Sequence, residues 1–464
     1  MTEVSSIPVK IHIIGIGGAA TSGLAMLLKA RGHQVSGSDQ TDGLKDRLLQ
    51  AGIRFFTGHD PRNLEKDTGL VIRSLAIPDE NEEVVEAKRL EIEVLLYSEV
   101  LGRLSSEGHA IAVSGTHGKT STTGILTSIM MAAGRDPSVL FGGELESLGG
   151  RNWRNGRGED FIVEACEYQK SFLNLRPSAG IITNIEVDHP EVYCDLAAVQ
   201  DSFGDFLRGF RPGAPVVVPE LHADQLRMVG AEVRLIIFGL DQGEGWRSKV
   251  LEKGLKSQIE MSVDGRPLFK VTLNLPGRHT MLNATAAAAL ASALGVDLES
   301  IQQGIENYRG VKRRFEKREV IDGVEWFDDY AHHPTEVKMT LETAREVYPG
   351  RKIWALFQPH QAIRLEFFFQ EFAGSFGDAD EVLLLPIFHA REDPLQFPTD
   401  MLQGLARQLR ERKVPARIIG FEQSIHELPE IIAPGDVVIA LGAGNVDKIG
   451  VRISQGGRNL ETSR

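Results

Sequence analysis

The chain has 464 residues, 42% of them hydrophobic and 25% charged, with a formal net charge of −13. That balance belongs to a soluble globular protein and excludes wholesale disorder, and its negative sign repels polyanions, which argues against nucleic acid as a partner. At roughly 100–200 residues per domain, the length suggests about three domains.

The opening stretch MTEVSSIPVKIHIIGIGG has no basic leader, and its apolar run is broken by His12 and by glycines, so it does not read as a signal peptide. "VKIHIIGI" predicts a strand, "ATSGLAMLLKARG" a helix ending on Gly32, and "QVSGSD" a second strand stopping at Asp39. The turn Gly15-Ile16-Gly17-Gly18-Ala19-Ala20 satisfies G-x-G-x-x-[GA], and Asp39 lies where a dinucleotide fold places its ribose-binding acid. Taken alone, this unit suggests a dehydrogenase. Strand and helix patterns continue through "GLVIRSLAI" and "EIEVLLYSEV" to a polar joint, "RLSSEGH" at 103–109, which sets the first domain as 1–107.

A new strand, "AIAVSG", then runs into "GTHGKTSTTG" and a helix. Strand, glycine loop and helix in that order make a phosphate site: backbone N–H groups converge on oxygens, a lysine neutralises charge and a threonine hydroxyl can ligate Mg²⁺. Gly115 is the single upstream glycine and Val113 stands where the commoner loop has its first one, so this turn must be tighter. The strands "DFIVEA" and "AGIITNI" continue the sheet. At their carboxyl ends stand Glu164 and Glu167, then Asn184, Asp188 and His189, hard donors where an open α/β sheet binds its ligands. Cys166 and Cys194 lack C-x-x-C spacing and read as two buried thiols in a reducing cytoplasm. "NATAAAALASALG" at 283–295 is too short for a membrane span and reads as a buried helix. A second joint near Gly310 gives domains 108–310 and 311–464. The last of these repeats the strand pattern in "EWFDDYA", "KIWALFQ", "EVLLLPI", "ARIIG" and "DVVIALGAG".

The segments "GTHGKTSTTG", "EACEYQKSFL", "TNIEVDH", "LPGRHTMLNATAA", "GVKRRFE", "DDYAHHPTEV" and "FQPHQAIR" together resemble the Mur ligases of peptidoglycan synthesis over nearly the whole chain, and the short phosphate loop is that family's variant. The resemblance implies an α/β fold of three domains: a Rossmann-like domain for a UDP-sugar, a central P-loop ATPase domain, and a Rossmann-like domain for an amino acid. It implies ATP and Mg²⁺ as cofactors, and an enzyme that joins L-alanine to the lactoyl carboxylate of UDP-N-acetylmuramate through an acyl phosphate. A cytoplasmic monomer or weak homodimer is expected, with no membrane partner.

By the same resemblance Gly115, Thr116, Gly118, Lys119 and Thr120 hold the ATP phosphates, with Thr120, Glu164 and His189 on Mg²⁺. Asn283 meets the adenine, Arg314 the γ-phosphate and Asp329 the ribose, while Tyr330, His332, His360 and Arg364 gather around the amino acid. Gly15, Gly17 and Gly18, with Ser38, Asp39, Ser74 and Ser171, serve the UDP-sugar. The catalytic set is Lys119, Glu164, His189, Arg314 and His332, with deprotonation of the amine open between His189 and Glu164.

Of the neighbouring residues, Lys312 and Arg313 read as exposed, His333 as structural, and Phe367, Phe368, Phe369 and Phe372 as a helix's core face. The turn "ALGAGNVDKIG" is assigned no cofactor. Thr280 stands where the family has asparagine, and Gln361 and Leu365 stand where it has arginine and threonine, which leaves open how strictly L-alanine is chosen over glycine or serine. A ligase recycling a ready-made tripeptide and a catalytically weak UDP-sugar binder are the alternatives. "FQPH...R" argues against the first, and intact Lys119, Glu164, His189 and Asp329 against the second.

Overall fold

The computed structural model describes residues 7–390 and 392–456. Three sheets follow one another along the chain. The first is β1 (Lys10–Ile14), β2 (Gln34–Asp39), β3 (Arg54–Thr57), β4 (Leu70–Arg73) and β5 (Glu93–Leu96), all parallel, in the order β3-β2-β1-β4-β5. Because β2 and β4 leave β1 on opposite sides, the glycine turn after β1 sits at the switch point of the sheet, where open α/β sheets bind their ligands.

The second sheet has ten strands: β6 (His109–Ser114), β7 (Ser138–Leu145), β8 (Arg151–Arg154), β9 (Asp160–Glu164), β10 (Ala179–Ile182), β11 (Pro215–Pro219), β12 (Arg234–Leu240), β13 (Trp246–Glu252), β14 (Ser257–Val263) and β15 (Arg266–Leu273). Their order is β15-β14-β13-β12-β11-β10-β6-β9-β7-β8, with β6 between parallel β10 and β9. The middle strands are apolar on both faces, as strands covered by helices on both sides must be, and the antiparallel pairs lie at the two edges. The alanine-rich segment forms the helix Arg278–Ala293, buried from Asn283 through Ala291. Methyl-sized side chains let it lie close to the sheet.

The third sheet is β16 (Glu316–Lys317), β17 (Glu325–Asp329), β18 (Ile353–Phe357), β19 (Glu381–Leu384), β20 (Ala416–Ile418) and β21 (Val437–Leu441), in the order β16-β17-β21-β18-β19-β20. Its five parallel strands are the five apolar runs predicted for this part of the chain.

Three expectations are corrected below. Within the polar stretch 103–109, Arg103–Ser106 end the helix Tyr97–Ser106, and that helix packs so tightly that a Cβ on Gly102 would stand 2.5 Å from the carbonyl oxygen of Asn174. Cys166 and Cys194 are free but exposed, since both fall on turns beyond strand ends. Of the phenylalanine run, Phe368 and Phe372 are buried while Phe367 is 46% exposed, because the helix breaks at Phe368 into Ala362–Phe367 and Phe369–Ala373. Arg313 is not a solvated neighbour of Arg314: its guanidinium donates to the carbonyl of Gly442 at 2.6 Å and lies 3.5 Å from Asp447. Lys312 is exposed, as expected, and pairs with Glu144 at 2.6 Å.

Candidate active site

The phosphate loop is built by backbone conformation. Gly115 and Gly118 have φ of +132° and +79°, the left-handed region that glycine enters without strain. Space requires them as well: a Cβ on Gly115 would lie 1.9 Å from the hydroxyl of Thr183, and one on Gly118 2.7 Å from Oδ1 of Asn283. Asn184 clamps the loop, accepting the N–H of His117 at 2.8 Å and donating to its carbonyl at 3.0 Å. A Gly118→Ala variant is expected to lose about 1–3 kcal/mol to strain alone and to push Asn283 aside. The measurement is the KM for ATP, which should rise while that for the UDP-sugar stays put.

Lys119 opens the helix Lys119–Ala132. Its ammonium donates to the carbonyls of Gly115 and Thr116 at 2.6 and 3.0 Å and to both oxygens of Glu167 at 3.0 and 2.9 Å. Burial disfavours this charge, but the carboxylate of Glu167 outweighs it and raises the lysine above its ordinary range. Thr120 donates to Glu164 at 3.2 Å, and the second oxygen of Glu164 accepts the N–H of Gly142 at 2.8 Å. His189, itself at φ +55°, lies 3.7 Å from Glu167 and from Asp188.

A cavity of about 380 Å³ opens beside the loop, and Gly118, Asn283, Arg314 and Asp329 all line it. Asp329 accepts the N–H groups of Phe315 and Ala331 at 2.9 and 2.8 Å. Burial nevertheless pushes its carboxyl up to about 6. Arg314 stacks 5.1 Å over the ring of Tyr330 and lies 3.7 Å from Glu336. Thr280 turns its hydroxyl onto the carbonyl of Pro276 at 2.8 Å, which removes it from the cavity and leaves Asn283 as the helix's amide there.

On the far side of Tyr330 lie His332, His360 and Arg364. Nδ1 of His332 is 2.9 Å from the carbonyl of Tyr330; a carbonyl only accepts, so Nδ1 carries the proton and Nε2 the lone pair. Burial lowers this imidazole to about 3 and keeps it neutral. Its neighbour His333 points elsewhere, accepting the N–H of Thr335 as the cap of the helix Pro334–Val347. Arg364 is 2% exposed and donates through Nε and Nη2 to one oxygen of Asp188, at 3.1 and 3.0 Å. Burial opposes the charge on Asp188, but Arg364 overrides it and holds the carboxyl far below its usual range. Nη1 of Arg364 faces Oε1 of Gln361 at 3.0 Å.

Residues 10–109 match the Mur ligase family catalytic domain, 113–291 the Mur ligase middle domain, and 313–444 the Mur ligase glutamate ligase domain. The chain belongs to the Mur ligase family. It is 37% identical to the UDP-N-acetylmuramate--L-alanine ligase of Clostridium novyi (strain NT), covering 95% of this chain and 96% of that one. Identity is 38% to the protein of the same name from Solidesulfovibrio magneticus, again over 95% and 96%. The crystal structure of UDP-N-acetylmuramate-alanine ligase from Thermotoga maritima superposes with a TM-score of 0.80 at 27% identity, covering 96% of this chain and 98% of that one.

In this Mur ligase Gly118, Asn283, Arg314 and Asp329, all expected around a nucleotide, share one cavity, Lys119 and Thr120 begin the helix that follows Gly118, and the ring of Tyr330 lies between Arg314 and His332. The residues of the first domain sit apart. Gly17 donates to Asp39 at 2.8 Å, Gly15 and Ile16 donate to the carbonyl of Ser38, and Ser74 packs against Gly15. The hydroxyl of Ser38 is turned inward, toward Glu83 and His59, so this residue shapes the turn from beneath. Ser171 lies in the 3₁₀ segment Tyr168–Asn174, on which the helix Tyr97–Ser106 packs. The turn after β21 is filled by Gln358, whose Oε1 accepts the N–H of Asn445 at 2.9 Å, so its glycines serve side-chain packing.

Sequence reasoning missed most of the cavity wall, His117, Glu186, His279 and Glu336 among it. His117, Glu186 and His333 bring ligand atoms within 4.8 Å of one another. Both nitrogens of His333 are engaged, however, by Thr335 N–H and by the carbonyl of Val187 at 3.1 Å. The group reads as a charge cluster: burial alone would lower His117, and the flanking carboxylates of Glu186 and Glu336 raise it to about 10.

Proposed function

We propose that the chain joins L-alanine to the lactoyl carboxylate of UDP-N-acetylmuramate at the expense of ATP, through an acyl phosphate, in peptidoglycan precursor synthesis. The observation that supports this reading is the meeting of Gly118 of the phosphate loop with Asn283, Arg314 and Asp329 in one cavity, whose wall residue Glu336 touches His332, itself beside His360 and Arg364. In this reading 1–107 holds the UDP-sugar, 108–310 the ATP and 311–464 the amino acid. It carries with it a cytoplasmic location, no nucleic-acid or membrane partner, and a monomer or weak homodimer. Among the described residues no helix is long and apolar enough to cross a membrane.

A carboxylate is a poor acyl donor. Its oxygen must first bond to the γ-phosphorus as ADP leaves, a step that needs positioned positive charge more than an acid or base. Lys119 and Arg314 supply that charge. The donors Thr120 and Glu164, a hydroxyl and a carboxylate 3.2 Å apart with His189 beyond Glu167, are hard ligands that fit Mg²⁺. When bound, Mg²⁺ would neutralise phosphate charge. The amine nitrogen then bonds to the acyl carbon, phosphate departs, and the proton lost by the nitrogen passes to His189 or Glu164. The neutral ring of His332, with its Nε2 lone pair, accepts a hydrogen bond from that amine, and Arg364 holds the amino acid's carboxylate.

Phosphate release with ATP, Mg²⁺ and UDP-N-acetylmuramate tests the reading, with L-alanine, glycine, L-serine and the tripeptide compared as acceptors. Turnover strongly favouring L-alanine is expected. Preference for the tripeptide would move the chain to the recycling reaction, and no turnover with any acceptor would leave a UDP-sugar binder.

A further inference from the structure

Glu336 lies in the first turn of the helix Pro334–Val347, four residues beyond His332, with 13% of its side chain exposed. Three partners from three parts of the site converge on it. Oε1 is 3.2 Å from Nδ1 of His117, in the middle of the phosphate loop, and 3.7 Å from Nη1 of Arg314. Oε2 accepts the backbone N–H of His332 at 3.1 Å and lies 3.3 Å from its Nδ1. The contact with His117 spans 219 residues of sequence and crosses from the middle domain to the third.

A carboxylate in this place needs an explanation, because it lines the cavity that a polyanionic nucleotide would enter. A lone buried anion there would repel phosphate. Burial does oppose its charge, but the N–H groups of His332, protonated His117 and Arg314 outweigh that cost and hold it well below the ordinary carboxylate range. Its charge is therefore taken up by two cations, His117 and Arg314, held at set places.

We propose that Glu336 is a positioning residue that ties the phosphate loop, through His117, to the acceptor side, through His332, so that both chemical steps share one closed geometry of the middle and third domains. The proposal rests on the ligase reading given above and adds a residue to it. Other contacts cross the same joint: Thr335 donates to Glu186 at 2.8 Å, His333 reaches the carbonyl of Val187, and Arg364 pairs with Asp188. The first two touch no residue assigned to substrate, and the third reaches the acceptor side without touching the phosphate loop. Glu336, by contrast with these three, joins the loop to the acceptor histidine.

The test uses the full chain with Glu336→Gln, which keeps the volume and removes the charge. The KM values for ATP and L-alanine are expected to rise together, each about fivefold or more, with kcat falling at least tenfold. The KM for UDP-N-acetylmuramate should stay within about twofold, since its turn lies on the first domain. Combining Glu336→Gln with His117→Gln should raise the KM for ATP no further than Glu336→Gln alone, because the second change removes a contact already lost. Glu336→Asp, which keeps the charge, should restore part of the loss and serves if the glutamine variant folds poorly.

Parallel rises in all three KM values with a lower Tm would overturn the proposal in favour of a simple strut. So would additive effects in the double variant, or an unchanged enzyme. If the wild-type protein releases no phosphate with any acceptor, the ligase reading fails separately. The same double-variant comparison on the calorimetric Kd for ATP then decides whether Glu336 acts through His117.

Discussion

Replacing Lys119 by methionine is expected to lower kcat by about 10³-fold or more, the scale seen when one preorganised charge is removed from a phosphoryl-transfer site. The structure adds a second consequence. Both oxygens of Glu167 take their hydrogen bonds from this ammonium, and Glu167 is 2% exposed. Removing one partner of a buried pair leaves the other charge uncompensated, at a cost of about 3–5 kcal/mol. Lys119→Met should therefore melt early as well as fail to turn over. The double variant Lys119→Met/Glu167→Gln separates the two effects. It should regain most of the lost Tm and none of the lost kcat, measured by thermal unfolding and by phosphate release. If the double variant recovered turnover, Lys119 would be a counter-ion for Glu167 and not a phosphate ligand.

That pairing illustrates what a sequence conveys and what it hides. The phosphate loop was legible because its requirements are local: an apolar run, glycines at set places, then a helix carrying Lys-Thr. The third sheet was legible because parallel strands covered on both faces are unbroken apolar runs. The strands β13 to β15 went unread. They form an antiparallel edge whose residues alternate, as in "SQIEMSV", and their one clear signal is the tight turn at Asp264-Gly265, both with positive φ. The polar stretch 103–109 shows its polarity in the sequence but not its packing: its arginine and serines end the helix Tyr97–Ser106, where Leu104 and Ser105 are buried. Long-range pairs were the least legible. Glu167 and Asp188 stood out as hard donors at strand ends, but nothing local shows that one meets Lys119 and the other meets Arg364 across 176 residues. Glu336 had a weaker signal still, its place four residues after His332 at the start of a helix.

The second large effect is expected at Arg364. Its guanidinium has two working edges in this structure. Nε and Nη2 are committed to Asp188, a middle-domain carboxylate that is itself 5% exposed, while Nη1 faces neutral acceptors, the amide oxygen of Gln361 at 3.0 Å and, farther off, Nδ1 and the carbonyl of His360 at 3.4 and 3.5 Å. An incoming amino acid's carboxylate is a stronger acceptor than an amide, so it should displace Gln361 and leave the ion pair with Asp188 in place. Truncating Arg364 would strand Asp188 and confuse binding with folding. Arg364→Lys is the sharper probe, because it keeps the charge beside Asp188 but loses the planar fork that serves two partners at once. Its expected result is a KM for L-alanine raised about 10- to 100-fold, the equivalent of roughly 1.4–2.8 kcal/mol, with the KM for ATP unchanged and the Tm lowered only slightly. Gln361→Ala removes the displaced amide and should lower the KM for L-alanine or leave it unchanged. A lysine variant with an unaltered KM for L-alanine would show that Arg364 is a strut between domains, and that the carboxylate is held elsewhere.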